Sequence, residues 1–190
     1  MAIKIFIDQG HNPRNPNAGA EGNGYYEQDI TYEVGRQLAE LLQADPNFEV
    51  RLSRNSPDEI LGTSVASSLR ARTDAANAWG ADYFISIHAN ASTIESASGS
   101  EGFAYSRASE GYVLGEDILL WLNRATGLAN RGMNVRPSLW VLRKTAMPAV
   151  LIELGFITNP SDAERMANDP GAFATGIYNG ILAYFGFLNR

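Results

Sequence analysis

Residues 82–87, DYFISI, form a short run of mostly apolar side chains that passes directly into His88. Ile3–Asp8 and Ala149–Leu154 have the same character, and Ile3–Asp8 leads into a stretch rich in Gly, Asn and Pro. Strands that are apolar on both faces are typical of sheets covered by helices on each side. These three runs therefore predict the central strands of the molecule.

The segments between these strands carry apolar residues at helical spacing. Helices are predicted over Asp29–Ala44, along a stripe from Val65 to Ala76 with Gly80 as its end, from Leu114 to Ala125, and along a stripe from Phe173 to Phe185. Shorter strands are predicted at Phe48–Ser53, Gly102–Tyr105 and Leu139–Arg143. The alternation predicts a single α/β domain, residues 1–190, with three layers: a twisted, largely parallel sheet and helices on both faces.

The composition narrows the classes of function. The chain of 190 residues carries a net charge of −6, and its 15 Lys and Arg form no basic run, which excludes nucleic acid as the expected partner. No apolar stretch is long enough to predict a membrane span. The N-terminus, MAIKIFIDQG, lacks the features of a signal peptide and is interpreted as the first strand. Because the chain has no cysteine and two histidines, a metal must be held by His and carboxylates.

Groups capable of metal binding or acid–base chemistry stand at the ends of the three central strands. His11 follows the first strand, His88 follows the second, and Glu153 lies within the apolar run of the third. Sites form at the carboxyl ends of strands in open α/β sheets. Taken singly, a histidine at a strand end is more often a hydrogen-bonded loop residue than a metal ligand. A glutamate among apolar neighbours requires a cation or a role in a site, because an unpaired buried carboxylate is expensive.

A third metal ligand can come from the Gly-rich segment Glu21–Asp29. Asp29 is interpreted as an acid at the helix N-terminus, whereas Glu27 is compatible with that role and with metal binding. Two imidazoles, one carboxylate and an open position are typical of a catalytic zinc site. A second, non-ligating carboxylate would supply the acid–base group for amide hydrolysis. Spacing alone leaves open which glutamate, Glu27 or Glu153, is the ligand.

Five blocks in order along the chain resemble the zinc-dependent N-acetylmuramoyl-L-alanine amidases of the Amidase_3 type. They are IFIDQGHNP (5–13), EGNGYYEQDITYEVG (21–35), LRARTDAAN (69–77), ADYFISIHANAS (81–92) and PAVLIELGFITNPSDAERM (148–166). The resemblance implies that His11, Glu27 and His88 bind one Zn²⁺ and that Glu153 is the catalytic acid/base. It also suggests a substrate-binding or supporting role for Asn90.

Three other positions bear on the resemblance. Gln9 departs from the Pro or Ala that many relatives have before the glycine of the first block, which affects only the shape of that loop. Arg72 and Asn77 also match family positions. A structural role for both, in closing the helix that precedes the strand at residues 82–87, is an equally good interpretation.

The function implied is hydrolysis of the amide bond between N-acetylmuramic acid and L-alanine in bacterial peptidoglycan, at the cell wall and outside the cytoplasm. One alternative is a zinc peptidase that cuts the stem peptide, which product analysis distinguishes. Another is a wall-binding module with a degenerate site, which would bind peptidoglycan without releasing product. A nucleotide-binding Rossmann domain is disfavoured because no Gly-x-Gly-x-x-Gly follows the first strand.

Overall fold

The computed structural model describes residues 2–188, in which strands and helices alternate. The strands are β1 (Ile3–Gln9), β2 (Glu21–Gly22), β3 (Tyr25–Tyr26), β4 (Phe48–Leu52), β5 (Tyr83–Asn90), β6 (Ser100–Ala104), β7 (Asn130–Val135) and β8 (Ala149–Phe156). The helices are α1 (Glu27–Gln43), α2 (Val65–Trp79), α3 (Glu110–Thr126), α4 (Trp140–Lys144), α5 (Pro160–Asn168) and α6 (Pro170–Tyr184).

Six strands form one sheet in the order β4-β1-β5-β8-β6-β7, and β2 pairs with β3 in a separate antiparallel hairpin. The pairs β4–β1, β1–β5 and β5–β8 are parallel. β6 runs antiparallel to β8, and β7 runs parallel to β6. The predicted α/β fold with a largely parallel sheet is confirmed, and the reversal lies at the β6–β7 edge.

Alternation along the central strands divides the apolar side chains between two clusters, one on each face of the sheet. The larger cluster joins one face to α1, α3 and α6, and its strand residues include Ile5, Ile7, Ile85, Ile87, Val150 and Ile152. The smaller cluster joins the other face to α2 and α4, and includes Phe6, Phe84, Leu151, Ala76 and Val141. The predicted helix layers on both faces are therefore confirmed.

Helix α2 has the end that the sequence predicts. Its N-terminus is capped by Ser64, whose side chain accepts a hydrogen bond from Ser67 N–H. It stops at Gly80, whose φ of 67° is left-handed and free of the steric cost that a side chain would bring. None of the helices within residues 2–188 combines the length and the apolar character needed to cross a bilayer.

The strand predicted at Leu139–Arg143 is wrong, because this segment contains helix α4. Arg143 N–H donates to the Leu139 carbonyl, and the neighbours Val141 and Leu142 are both buried. Successive residues of a strand would point to opposite faces, whereas a helical turn directs both toward the core. The outer place in the sheet is taken by β7, whose sequence NRGMNV lacks the apolar alternation that would have indicated a strand.

Candidate metal centre

His11 lies in the loop after β1 and has a left-handed backbone conformation, with φ of 68°. The buried Arg72 side chain holds this loop, because its guanidinium donates to the Gln9 and His11 carbonyl oxygens, each at 2.5 Å. The same guanidinium forms a buried ion pair with Asp8 at 2.7 Å. The ring nitrogen Nδ1 of His11 lies 3.3 Å from the Asn17 carbonyl oxygen. A proton on Nδ1 would be donated there, which leaves Nε2 as the lone-pair nitrogen.

Glu27 is the first residue of α1, and its side chain is buried. Ala20 N–H donates to Oε2 at 2.8 Å, and Ala89 N–H donates to Oε1 at 3.0 Å. The carboxylate therefore lies between the loop before α1 and the end of β5. Asp29 is exposed in the first turn of α1, as expected for an acid that interacts only with the helix N-terminus.

His88 is near the carboxyl end of β5, and its Nδ1 lies 3.0 Å from Oε1 of Glu27. Gly10 lies against the His88 ring. A Cβ at Gly10 would lie 2.6 Å from Cε1 of His88, so the backbone of the His11 loop approaches the ring as closely as only glycine allows.

The three side chains converge on a single point. One ligand atom each from His11, Glu27 and His88 lies within 4.8 Å of the other two, and Oε1 of Glu27 is 3.2 Å from Nε2 of His11. The two imidazole rings stand edge to face, with centroids 4.9 Å apart. Because the lone pairs of neutral imidazoles and a carboxylate repel one another, contacts this short require a proton or a cation between them.

The electrostatics agree with a cation-binding cluster. Burial raises the pKa of Glu27, but the hydrogen bonds and charges of the two histidines outweigh burial and hold the pKa well below its ordinary value. Burial lowers the pKa of His88, and the Glu27 carboxylate outweighs it, so this pKa is raised. Two nitrogens and one carboxylate oxygen with room for an outside ligand are the donor set of catalytic zinc sites, and the residues present fit that metal.

Glu153 lies beside this cluster and belongs to the adjacent strand. In the sheet register it stands opposite His88 of β5 on one side and opposite Glu101 of β6 on the other. Its Oε2 is buried and has no hydrogen-bond partner among residues 2–188. Burial raises the pKa of Glu153 to about 7 against the lowering effect of His88, and the charges of Glu27 and Glu101 add to the rise. A carboxyl group with this pKa can both accept and donate a proton near neutral pH.

Asn90 ends β5 on the Glu153 side of the cluster. Its Nδ2 donates to Oε1 of Glu101 at 2.5 Å, and its Oδ1 accepts from Ala91 N–H at 2.8 Å. Without substrate, its amide therefore orients Glu101. Sequence reasoning did not identify Glu101; the signal that could have found it is a second glutamate in a short strand, but its position opposite Glu153 depends on the antiparallel pairing of β6 with β8.

The other residues noted in the sequence have structural partners. Gln9, the residue that departs from the family pattern, is fully buried and exchanges hydrogen bonds with Ser53 and Arg54. Its side chain therefore joins β1 to the loop after β4. Asn77 bonds the Lys144 carbonyl oxygen and Ala146 N–H, which fastens α2 to the end of α4. Arg72 organises the His11 loop.

A small pocket of about 120 Å³ adjoins the cluster on the side of α2 and α4. His11 and His88 form one wall, and apolar side chains form the others: Leu69, Leu139, Trp140, Val141 and Leu151. Trp140 is oriented by its indole N–H, which lies 3.4 Å from Thr73 Oγ1. The cluster is therefore open to a cavity that can receive part of a substrate.

Comparison with known proteins gives consistent matches over nearly the whole chain. A family model described as N-acetylmuramoyl-L-alanine amidase matches residues 5–183. The chain is 36% identical over 187 residues to the N-acetylmuramoyl-L-alanine amidase CwlM of Bacillus licheniformis, covering 96% of this chain and 69% of the relative. It is 34% identical over 187 residues to the sporulation-specific N-acetylmuramoyl-L-alanine amidase of Bacillus subtilis, covering 96% and 68%.

Solved structures match as well. The N-acetylmuramoyl-L-alanine amidase of Clostridium difficile 630 superposes with a TM-score of 0.86 at 31% identity, covering 97% of each chain. The catalytic domain of the amidase CwlV of Bacillus (Paenibacillus) polymyxa superposes with a TM-score of 0.84 at 29% identity, covering 97% of this chain and 99% of that domain.

Proposed function

The chain belongs to the N-acetylmuramoyl-L-alanine amidase family, and from this membership we propose a zinc-dependent mechanism for its hydrolysis of the amide between N-acetylmuramic acid and L-alanine. His11, Glu27 and His88 hold one Zn²⁺, and Glu153 is the catalytic acid/base. The observation that carries the proposal is the convergence of three buried or half-buried ligand atoms beside a carboxyl oxygen that lacks a partner among residues 2–188.

Zinc, when bound, supplies a Lewis acid that polarises the amide carbonyl and makes the attacking water more acidic. Glu153 accepts a proton from that water as its oxygen adds to the carbonyl carbon. Glu153 then donates the proton to the nitrogen of L-alanine as the carbon–nitrogen bond breaks, so the sugar keeps a carboxylate and the peptide gains an amine.

The residues around Glu153 prepare it for this proton transfer. Its burial raises its pKa to about 7. Near neutral pH, Glu153 can therefore accept a proton from the water and give it to the leaving nitrogen. The Arg72–Asp8 pair and Gly10 keep the His11 loop against the His88 ring, so the ligand nitrogens are placed before the metal arrives. Glu101 stands opposite Glu153 and accepts a hydrogen bond from Asn90, and we propose that Asn90 contributes to substrate binding there.

We further propose that the described residues act as one catalytic domain on peptidoglycan outside the cytoplasm. The two apolar clusters share a single sheet, which supports one folding unit. The cell-wall substrate of the family supports the location.

The metal requirement is tested by removing metal with a chelator and following peptide release from purified peptidoglycan. Zinc added back at one equivalent per chain should restore hydrolysis, and magnesium should not, because it is poorly matched to imidazole ligands. Full activity of protein shown by metal analysis to contain no transition metal would overturn the zinc proposal.

A further inference from the structure

Arg136 stands just beyond β7 at the edge of the sheet. Its backbone N–H donates to the Ala104 carbonyl oxygen at 2.9 Å, which continues the pairing of β6 and β7 by one residue. Its guanidinium carbon lies 5.2 Å from the centre of the ring of Phe103, which is buried. Stacking on a fixed aromatic ring limits the freedom of the arginine while leaving its hydrogen-bond donors available.

The guanidinium of Arg136 forms no ion pair with a carboxylate of residues 2–188. Within residues 2–188, the arginines in ion pairs are Arg36 and Arg72, and the donors of the Arg136 guanidinium form no hydrogen bond. Arg136 is also exposed to solvent. A planar cation with free donors is suited to bidentate binding of a carboxylate from outside the chain.

Arg136 lies on the same face of the sheet as Glu153. Its positive charge acts to lower the pKa of that carboxyl group. Glu101 and Phe103 alternate with Gly102 on β6 and share one face, and Glu101 stands opposite Glu153. This face therefore runs from Glu153, across Glu101 and Phe103, to Arg136.

The direction of the substrate follows from the proposed role of Glu153. The leaving nitrogen must lie next to the carboxyl group that protonates it. The proposed metal ligands His11, which follows β1, and His88, which lies on β5, are on the other side of Glu153. The peptide begins at that nitrogen and so extends over β6 and β7, toward Arg136. The glycan half extends in the opposite direction.

We propose that Arg136 binds a carboxylate on the peptide half of the substrate and makes the enzyme selective for peptides that carry one near L-alanine. This inference rests on the proposed function, because it uses Glu153 to orient the substrate. The carboxylates of Glu101 and Glu153 repel an anion close to the scissile bond, so the bound carboxylate lies beyond the first residue of the peptide, where Arg136 offsets their charge.

The test compares two synthetic substrates, muramoyl-L-alanyl dipeptides whose second residue carries either a free carboxylate or the corresponding carboxamide. Arg136→Gln should lower kcat/KM for the carboxylate substrate about 10-fold or more, mainly through KM, because a charge-assisted hydrogen bond is lost. The same variant should lower kcat/KM for the carboxamide substrate by less than about 3-fold. Arg136→Lys keeps the charge but cannot donate two parallel hydrogen bonds to a carboxylate, so it should recover part of the selectivity.

Arg107→Gln is the matched control, because Arg107 is also exposed and stacked on a ring, that of Tyr112. It should leave both substrates unaffected. If Arg136→Gln lowers kcat/KM equally for the two substrates, or for neither, the inference is overturned. Cleavage of either substrate by the wild-type protein at the muramoyl–alanine bond would still support the amidase mechanism. If the wild-type protein cleaves neither substrate at the muramoyl–alanine bond, the proposed function itself fails.

Discussion

His88 and Glu153 stand directly opposite each other on the neighbouring parallel strands β5 and β8. One register position thus places a candidate metal ligand beside a carboxyl group whose buried oxygen has no partner within residues 2–188. The pairing of β5 with β8 sets the separation of these two side chains. His11 and Glu27 are placed differently, by the loop after β1 and by the first residue of α1.

Removal of either histidine should abolish tight zinc binding. Because each contributes one of three ligand atoms, His11→Ala and His88→Ala should each lower zinc content from about one per chain to a small fraction after dialysis. Asn90→Ala is the control: it should retain zinc and affect mainly KM. Metal analysis checks all three variants, and full zinc retention in both histidine variants would contradict the assigned ligands.

Glu153→Gln should separate metal binding from proton transfer. The amide has the shape of the carboxyl group but cannot accept a proton, so zinc should remain while kcat falls by roughly 10²-fold or more. Zinc content and turnover are measured on the same preparation. Loss of zinc with the activity would mean that Glu153 is a ligand and that Glu27 is the acid/base.

Gly10→Ala should weaken metal binding without unfolding the protein. The added methyl group would lie 2.6 Å from Cε1 of His88 and from the Ile87 carbonyl oxygen. Because the second contact is with backbone, turning the ring does not relieve it, and the His11 loop must move away from β5. We expect about 10-fold to 100-fold weaker zinc affinity, the range for disturbed support of a ligand. Gly171→Ala in α6, where the nearest atom is the end of the Gln37 side chain, is the control and should bind zinc normally. Unchanged affinity in Gly10→Ala would show that the ring is not held by this contact.

The buried Asp8–Arg72 pair should make the metal-free protein sensitive to acid. Burial raises the pKa of Asp8, but Arg72 outweighs it and holds the pKa below its ordinary value of 3.8. The stabilisation is therefore complete above the unfolded-state pKa and is lost as pH falls through the lower folded-state pKa. Asp8→Asn should destabilise the protein at pH 7 by about 3 kcal/mol or more, since it leaves the Arg72 charge buried and unpaired.

Denaturant unfolding of metal-free protein between pH 7 and pH 3 checks this prediction. The destabilisation caused by Asp8→Asn should begin to shrink as pH falls below 3.8, because the unfolded wild-type chain then binds a proton that the native ion pair excludes. Asp74→Asn, at an exposed position of α2, should differ little from wild type. A destabilisation of Asp8→Asn that stays constant over this pH range would show that the ion pair is not its source.

The central strands could be predicted from sequence, and their ends offered His11, His88 and Glu153 as candidates. The roles of Glu27 and Glu153 were implied only by the resemblance to the family. The convergence of His11, His88 and Glu153 follows from parallel pairing of β1, β5 and β8. The edge of the sheet could not be predicted in this way. β7 is polar and is held by pairing with β6, and the segment Leu139–Arg143 has the composition of a strand but packs as a helix. The positions of Glu101 and Arg136 depend on that edge.

The most direct test of the mechanism is to identify the bond that the zinc-loaded protein breaks in purified peptidoglycan. Amino-terminal labelling followed by mass spectrometry should find new L-alanine amino termini in equal number with intact, peptide-free glycan, and no new reducing ends. Glu153→Gln under the same conditions should release about 10²-fold less of both products. New amino termini at any other residue of the stem peptide would contradict the account, even if zinc binding and the role of Glu153 were both upheld.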